Sequence, residues 1–118
     1  MQRKATKQSR SANAAEKRHM AWIKQRCLCS ACGNAGPVIN HHFLGSARKL
    51  YAGLERVHCG HWAVIGLCGP CDNLVTRGSP SKLTEAFGPQ SDMWFRQIED
   101  YPEEVPLNVM AAIAKWGK

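Results

Sequence analysis

The chain has 118 residues, six of them cysteine, and a formal net charge of +7. That length suits one compact domain of the common size, about 100–150 residues, and one functional site is the expectation. No apolar run approaches the roughly 18–20 residues needed to cross a bilayer, and the N-terminus lacks the apolar stretch of a secretory signal, so the expectation is a soluble cytoplasmic protein with no membrane partner.

The charge is unevenly placed. In the first 26 residues Arg3, Lys4, Lys7, Arg10, Lys17, Arg18, Lys24 and Arg26 face only Glu16, so this segment carries the whole excess. A stretch of Lys, Arg, Ser, Gln and Ala with few large apolar groups builds no core, but it can neutralise phosphates and release their counterions. These eight cations are the expected nucleic-acid contacts. Residues 1 to about 10 read as disordered. From Ser11 or Asn13 as cap, Ala14-Ala15-Glu16-Lys17-Arg18 through Met20, Ala21, Trp22 and Ile23 reads as a helix with a basic polar face. The division expected is a basic, partly disordered arm or helix over 1–26 and a single metal-stabilised domain over 27–118.

Next in chain order, Cys29-Ser-Ala-Cys32-Gly33 reads as a metal knuckle, its glycine letting the backbone turn beneath the ion. Val38-Ile39-Asn40 is a short β-prone run that delivers His41-His42 at its end. The polar stretch from Gly45 to Gly60 reads as loop, and Trp62-Ala63-Val64-Ile65 as a second strand. Cys68-Gly-Pro-Cys71 follows, with Pro70 suited to the first turn of a helix from about Pro70 to Thr76. Further helices are expected from Ser79-Pro80 to Phe87, from Gln90 to Glu99 and from Leu107 to Trp116, bounded by Gly88-Pro89, Pro102 and Pro106. Strand, loop, strand and helix with flanking helices make a small α+β fold.

The two Cys-x-x-Cys pairs, Cys29/Cys32 and Cys68/Cys71, together form the four-thiolate set of a closed structural zinc site. In a reducing compartment such pairs favour zinc over disulfides. The gap between them exceeds the usual ribbon spacing of about 15–20 residues, so a folded piece must lie between the knuckles. Cys27 and Cys59 are left over, and either is able to replace one of the four.

That intervening piece contains His41-His42. Hydrolysis of a phosphodiester needs a base to deprotonate water and a cation to offset charge on phosphorus and on the leaving oxygen. Because strand side chains alternate, one histidine of the pair can face a metal and the other the attacking water. Asp72, at the start of the helix held by the second knuckle, can supply a hard oxygen ligand to the same cleft. A mixed nitrogen and oxygen set of this kind suits magnesium or manganese, and zinc can also occupy it.

The order Cys29-x-x-Cys32, His41-His42, Cys68-x-x-Cys71-Asp72 resembles the zinc-containing HNH endonucleases, which hold a catalytic ββα-metal hairpin between two zinc knuckles. His41-His42-Phe-Leu, Gly60-His61-Trp-Ala-Val-Ile-Gly-Leu-Cys68 and Lys82-Leu-Thr-Glu-Ala-Phe87-Gly88 are similar to the phage and prophage Ref-type recombination-enhancement nucleases, over about residues 27–99. The resemblance implies a metal-dependent DNA endonuclease in a bacterial host cell. It would make His41 a ligand of the catalytic metal, Asp72 the other protein ligand, His42 the general base and His61 a supporting group that orients the base or touches phosphate. It further implies single-stranded, branched or duplex DNA as substrate, with RecA-coated DNA as a partner. Two departures stand out. The Ref-type pattern reads Cys-x-x-His-His where this chain has Cys68-Gly-Pro-Cys71-Asp72, and the central asparagine of a typical HNH has no clear counterpart, His61 being the candidate stand-in. The alternative function is a non-catalytic zinc-binding DNA adaptor, and a redox role for Cys68-x-x-Cys71 lacks a thioredoxin-like βαβ context.

Overall fold

A computed structural model describes residues 11–117. Helix α1 spans Ala14–Arg26, and its start is fixed locally. The Asn13 side chain accepts from the Glu16 amide at 2.8 Å while the Glu16 carboxylate accepts from the Asn13 amide at 2.8 Å, a reciprocal capping box. Glu16, His19 and Ile23 recur on one face, all are buried, and that face lies on β1 (Ile39–His42) and β4 (Val64–Leu67). The helical part of the segment read as an arm therefore belongs to the folded body. Arg3, Lys4, Lys7 and Arg10 lie outside the described residues.

Strands β1 and β4 pair antiparallel, with Ile39 opposite Leu67, Asn40 opposite Gly66, His41 opposite Ile65 and His42 opposite Val64. The second strand starts two residues later than the sequence suggests. Trp62 and Ala63 are held in a turn, their amides donating to the Cys59 carbonyl at 3.0 and 2.7 Å. Every residue of β4 is buried. Gly66 suits that place, because a Cβ would come within 2.7 Å of Ile23 Cγ2 and 3.1 Å of Val38 Cγ2 and force one of them to shift. Its missing side chain is what lets α1 approach the strand.

The stretch expected as loop contains a second hairpin. β2 (Lys49–Ala52) pairs antiparallel with β3 (Glu55–His58), Tyr51 opposite Arg56 and Leu50 opposite Val57, around the two-residue turn Gly53-Leu54. Gly53 takes a φ of 67°, a left-handed value that suits glycine. Leu50 and Val57 point inward, where α5 (Leu107–Trp116) covers β2 and β3.

Three more helices complete the body: α2 (Gly69–Thr76), α3 (Pro80–Phe87) and α4 (Gln90–Ile98). Met93, Trp94 and Gln97 of α4 are buried, and Trp94 Nε1 donates to the Trp62 carbonyl at 2.7 Å. The Gln97 side chain covers the edge of β4 that β1 does not pair. Its Nε2 donates to the Val64 carbonyl at 3.0 Å, and its Oε1 accepts from the Gly66 amide at 3.0 Å and the Ser30 hydroxyl at 2.7 Å. Ser30 joins the same edge through its own amide, which donates to the Gly66 carbonyl at 2.8 Å. The result is a small α+β globule of two hairpins and five helices among the described residues. None of these helices is long and apolar enough to cross a membrane.

Candidate metal centre and histidine cluster

Two backbone turns bring the cysteines together. After α1, Cys27 adopts a left-handed conformation, and the chain folds back so that the Gly33 amide donates to the Cys29 carbonyl at 3.0 Å, placing Cys29 and Cys32 side by side. Cys68 caps α2 and Cys71 lies in its first turn. The four sulfur atoms lie within 4.8 Å of one another. The Sγ atoms of Cys32 and Cys68 are 3.7 Å apart, close to the edge of about 3.8 Å expected for a tetrahedron with zinc–sulfur bonds of ~2.3 Å. All six cysteines are free thiols.

The electrostatics of these thiols also fit a cation. Burial pushes Cys29 up, but amides of Cys68, Cys32 and Ala31 and the Cys32 thiol outweigh it and bring its pKa down to about 7. Cys68 and Cys71 are pushed up chiefly by burial; at Cys68 the Cys71 amide and thiol oppose the rise while Cys32 and Cys29 add to it, and at Cys71 the other thiols add to it. One thiolate is thus favoured and further ones repel it, a conflict that a bound divalent ion removes. The four cysteines can hold a structural zinc ion. Cys27 and Cys59 take no part: exposed Cys27 points its thiol at the Lys24 carbonyl at 3.2 Å, and buried Cys59 faces the Val57 carbonyl at 3.7 Å.

Beside this staple lies a second group. His41 and His42 sit at the end of β1, His61 in the turn that leads to β4, and Asp72 in the first turn of α2. Burial lowers the pKa of His41, opposed by the Asp72 carboxylate and by Gln90, whose buried Oε1 lies near the ring without a well-formed hydrogen bond. Burial also lowers the pKa of His42, and the neighbouring His61 and His41 lower it further. The rings of His42 and His61 stand edge to face, 5.5 Å between centroids at 82°. His42 Nε2 is buried and makes no hydrogen bond. Both adjacent histidines are therefore held neutral at pH 7, the form that can bind a metal or accept a proton. Asp72 at a helix N-terminus also sits where the backbone dipole favours anions, phosphate included.

The fold thus brings together His41, His42, His61 and Asp72, but it does not make them a closed cage. Among the described residues the cysteines are the only set of three or more His, Cys, Asp or Glu whose donor atoms converge. His41 and Asp72 offer two ligands, so solvent and phosphate would complete any metal shell. Gln90 went unrecognised in the sequence, where it reads as the opening residue of a helix.

The basic residues of α1 divide into two kinds. Lys17 and Lys24 are exposed. Arg18 Nε donates to both Glu103 oxygens at 3.0 and 3.1 Å, and Arg26 donates to Asp100 at 2.7 Å while its guanidinium lies 5.3 Å from the centre of the Trp22 ring. The last two tie α1 to the segment between α4 and α5, each through an ion pair with a carboxylate. Compared with known protein families, with curated proteins and with solved structures, the chain finds no match in any of the three.

Proposed function

We propose that the protein is a metal-dependent DNA endonuclease of the HNH, or ββα-metal, type, akin to the Ref-type nucleases. One observation carries the reading: the Asp72 carboxylate acts electrostatically on His41, and the His42 ring stands against that of His61, where the end of β1 adjoins the first turn of α2, beside four thiols able to hold zinc. The neutral His42 would take a proton from the attacking water. His61 would hold the His42 ring in place, while His41 and Asp72 would bind magnesium or manganese, with zinc as a further candidate. Such an ion supplies positive charge to the phosphorane oxygens and the leaving 3′ oxygen. The N-terminus of α2 adds a dipole favouring the phosphate. The structural zinc would hold the frame without entering the chemistry, and the exposed cations would draw in DNA, bare or RecA-coated.

The convergence of only two metal-binding side chains beside the histidines favours a second reading, a zinc-stapled DNA adaptor without catalysis. Wild type and His42→Ala, matched for zinc content and DNA binding, are incubated with single-stranded, duplex and D-loop DNA plus magnesium. Cleavage by wild type alone supports the nuclease. Equal cleavage by both, or none by either, sinks it.

A further inference from the structure

The β2–β3 hairpin has no role in the histidine chemistry, yet it projects the most solvent-exposed apolar side chain among the described residues. Leu54 at its tip is 101% exposed, and Tyr51 on the adjoining strand is 51% exposed. The register places Tyr51 opposite Arg56 and Lys49 opposite His58, so these four share the outer face while Leu50 and Val57 hold the inner one. The Arg56 guanidinium lies 5.7 Å from the centre of the Tyr51 ring. Arg48, Lys49 and Arg56 are all exposed, and no carboxylate of the described residues pairs with them. Arg18 and Arg26 on α1, by contrast, are paired with Glu103 and Asp100.

The base of this finger is joined to the histidine cluster. The amides of Cys59 and Gly60 both donate to the Arg48 carbonyl, at 2.9 and 3.1 Å, and His61 follows directly. A Cβ on Gly60 would collide with the Ser46 carbonyl, so the two arms of the insertion close tightly there. Four-residue strands at ~3.3 Å per residue put the tip about 13 Å beyond that base, the length of about four base-pair steps.

We propose that this hairpin is a DNA-engaging finger. Leu54 enters a base step of duplex DNA as an apolar wedge, Tyr51 packs on the exposed sugar or base face, and Arg48, Lys49 and Arg56 bind the flanking phosphates. Cations around a single apolar tip fit a polyanion with a stacked apolar interior. One leucine and one tyrosine give too little apolar area for a stable protein interface, which buries on the order of 1,200 Å² or more. The finger rests on the nuclease reading for its purpose, since it sets how far from the cut the duplex is gripped and kinked.

The test uses the full, zinc-loaded chain and 30-base-pair duplexes carrying 2-aminopurine at successive steps. Leu54→Ser removes only an exposed side chain and is expected to abolish the 2-aminopurine fluorescence rise and weaken duplex binding about fivefold to tenfold. Lys49→Gln with Arg56→Gln is expected to weaken binding and reduce the slope of log affinity against log salt by about 2. Unchanged fluorescence, affinity and salt slope in all variants would overturn the finger, whatever His42→Ala does. A wild type that never cuts but loses binding with Leu54→Ser upholds the finger and overturns the nuclease. Loss of binding to anionic phospholipid vesicles, with duplex binding intact, also overturns it.

Discussion

Gln97 on α4 serves Gly66 of β4 as a substitute strand, its Oε1 accepting the Gly66 amide at 3.0 Å while its Nε2 donates to the Val64 carbonyl at 3.0 Å. The same oxygen accepts the Ser30 hydroxyl from the first knuckle at 2.7 Å. One buried amide thus joins the helical layer, the strand that precedes Cys68, and the turn that holds Cys29 and Cys32. Gln97→Leu keeps the volume but leaves the Val64 carbonyl, the Gly66 amide and the Ser30 hydroxyl short of a partner. A loss of about 2–4 kcal/mol is expected, read as a fall in thermal midpoint of ten degrees or more. Gln97→Glu should not rescue it, because a carboxylate cannot donate to Val64.

Zinc should be present at one equivalent per chain. Cys29→Ser or Cys71→Ser should release it, and a chelator should unfold the wild type, since a thiolate-bound zinc contributes as much as such a domain's whole stability, about 5–15 kcal/mol. Cys27→Ser and Cys59→Ala should keep their zinc. Metal analysis and circular dichroism read both results, and a Cys27→Ser variant depleted of zinc would refute the assignment of the four.

The buried His19 gives the fold an acid sensitivity separate from the metal. Its ring packs among Trp22, Trp62 and Tyr101, and both nitrogens lack a well-formed hydrogen bond. Burial lowers its pKa to about 4, against the Trp62 backbone and Glu103, which raise it. The folded state resists the proton that the unfolded chain accepts near 6.5. Its contribution is therefore intact above about pH 6.5 and is lost progressively as the pH falls toward 4, by about 3 kcal/mol in all. Urea midpoints at pH 7.5, 6 and 5 should fall less steeply for His19→Phe than for wild type; parallel curves would exclude His19 as the cause.

Within the histidine cluster the losses should be graded. On the proposed nuclease reading, Asp72→Ala and His42→Ala should each reduce magnesium-dependent cleavage by about 10²–10⁴-fold, and His61→Ala by about 10–100-fold, the effect of a residue that orients another. All three should retain zinc and thermal stability. A His61→Ala loss as large as that of His42→Ala would place His61 in direct contact with substrate.

Gly66→Ala brings a methyl group against Ile23 and Val38, and should cost about 1–3 kcal/mol. Combined with Ile23→Ala, the two losses should sum to less than their separate values, because the second change vacates the space the first requires. Strict additivity in urea unfolding would show that the helix-to-strand contact is looser than drawn.

Local signals were the legible ones. Cys-x-x-Cys, Pro70, Pro80 at the start of α3 and Pro106 ahead of α5 act within a few residues, so the knuckles and the later helices are legible in the chain alone. The second hairpin is poorly marked in the chain because each strand gives the core one buried side chain, Leu50 or Val57, and its turn, Gly53-Leu54, lacks the Asn-Gly or Asp-Gly that marks many such turns. The docking of α1 was hidden for a related reason. Its inward face carries Glu16 and His19, whose burial depends on a cap and on distant aromatic rings rather than on an apolar stripe. His41, His42 and Asp72 stood out as residue types, whereas Gln90 and Gln97 are polar residues whose partners lie far along the chain.

The thiol set also imposes an order on synthesis. Cys32 and Cys68 are neighbours at 3.7 Å but 36 residues apart in the chain, so the second pair leaves the ribosome a few seconds after the first, at about 5–20 residues per second. A nascent chain that has displayed His41, His42 and His61 still has neither Asp72 nor half of its sulfur ligands. The histidines are made before Asp72 and the second cysteine pair that would fix them in place.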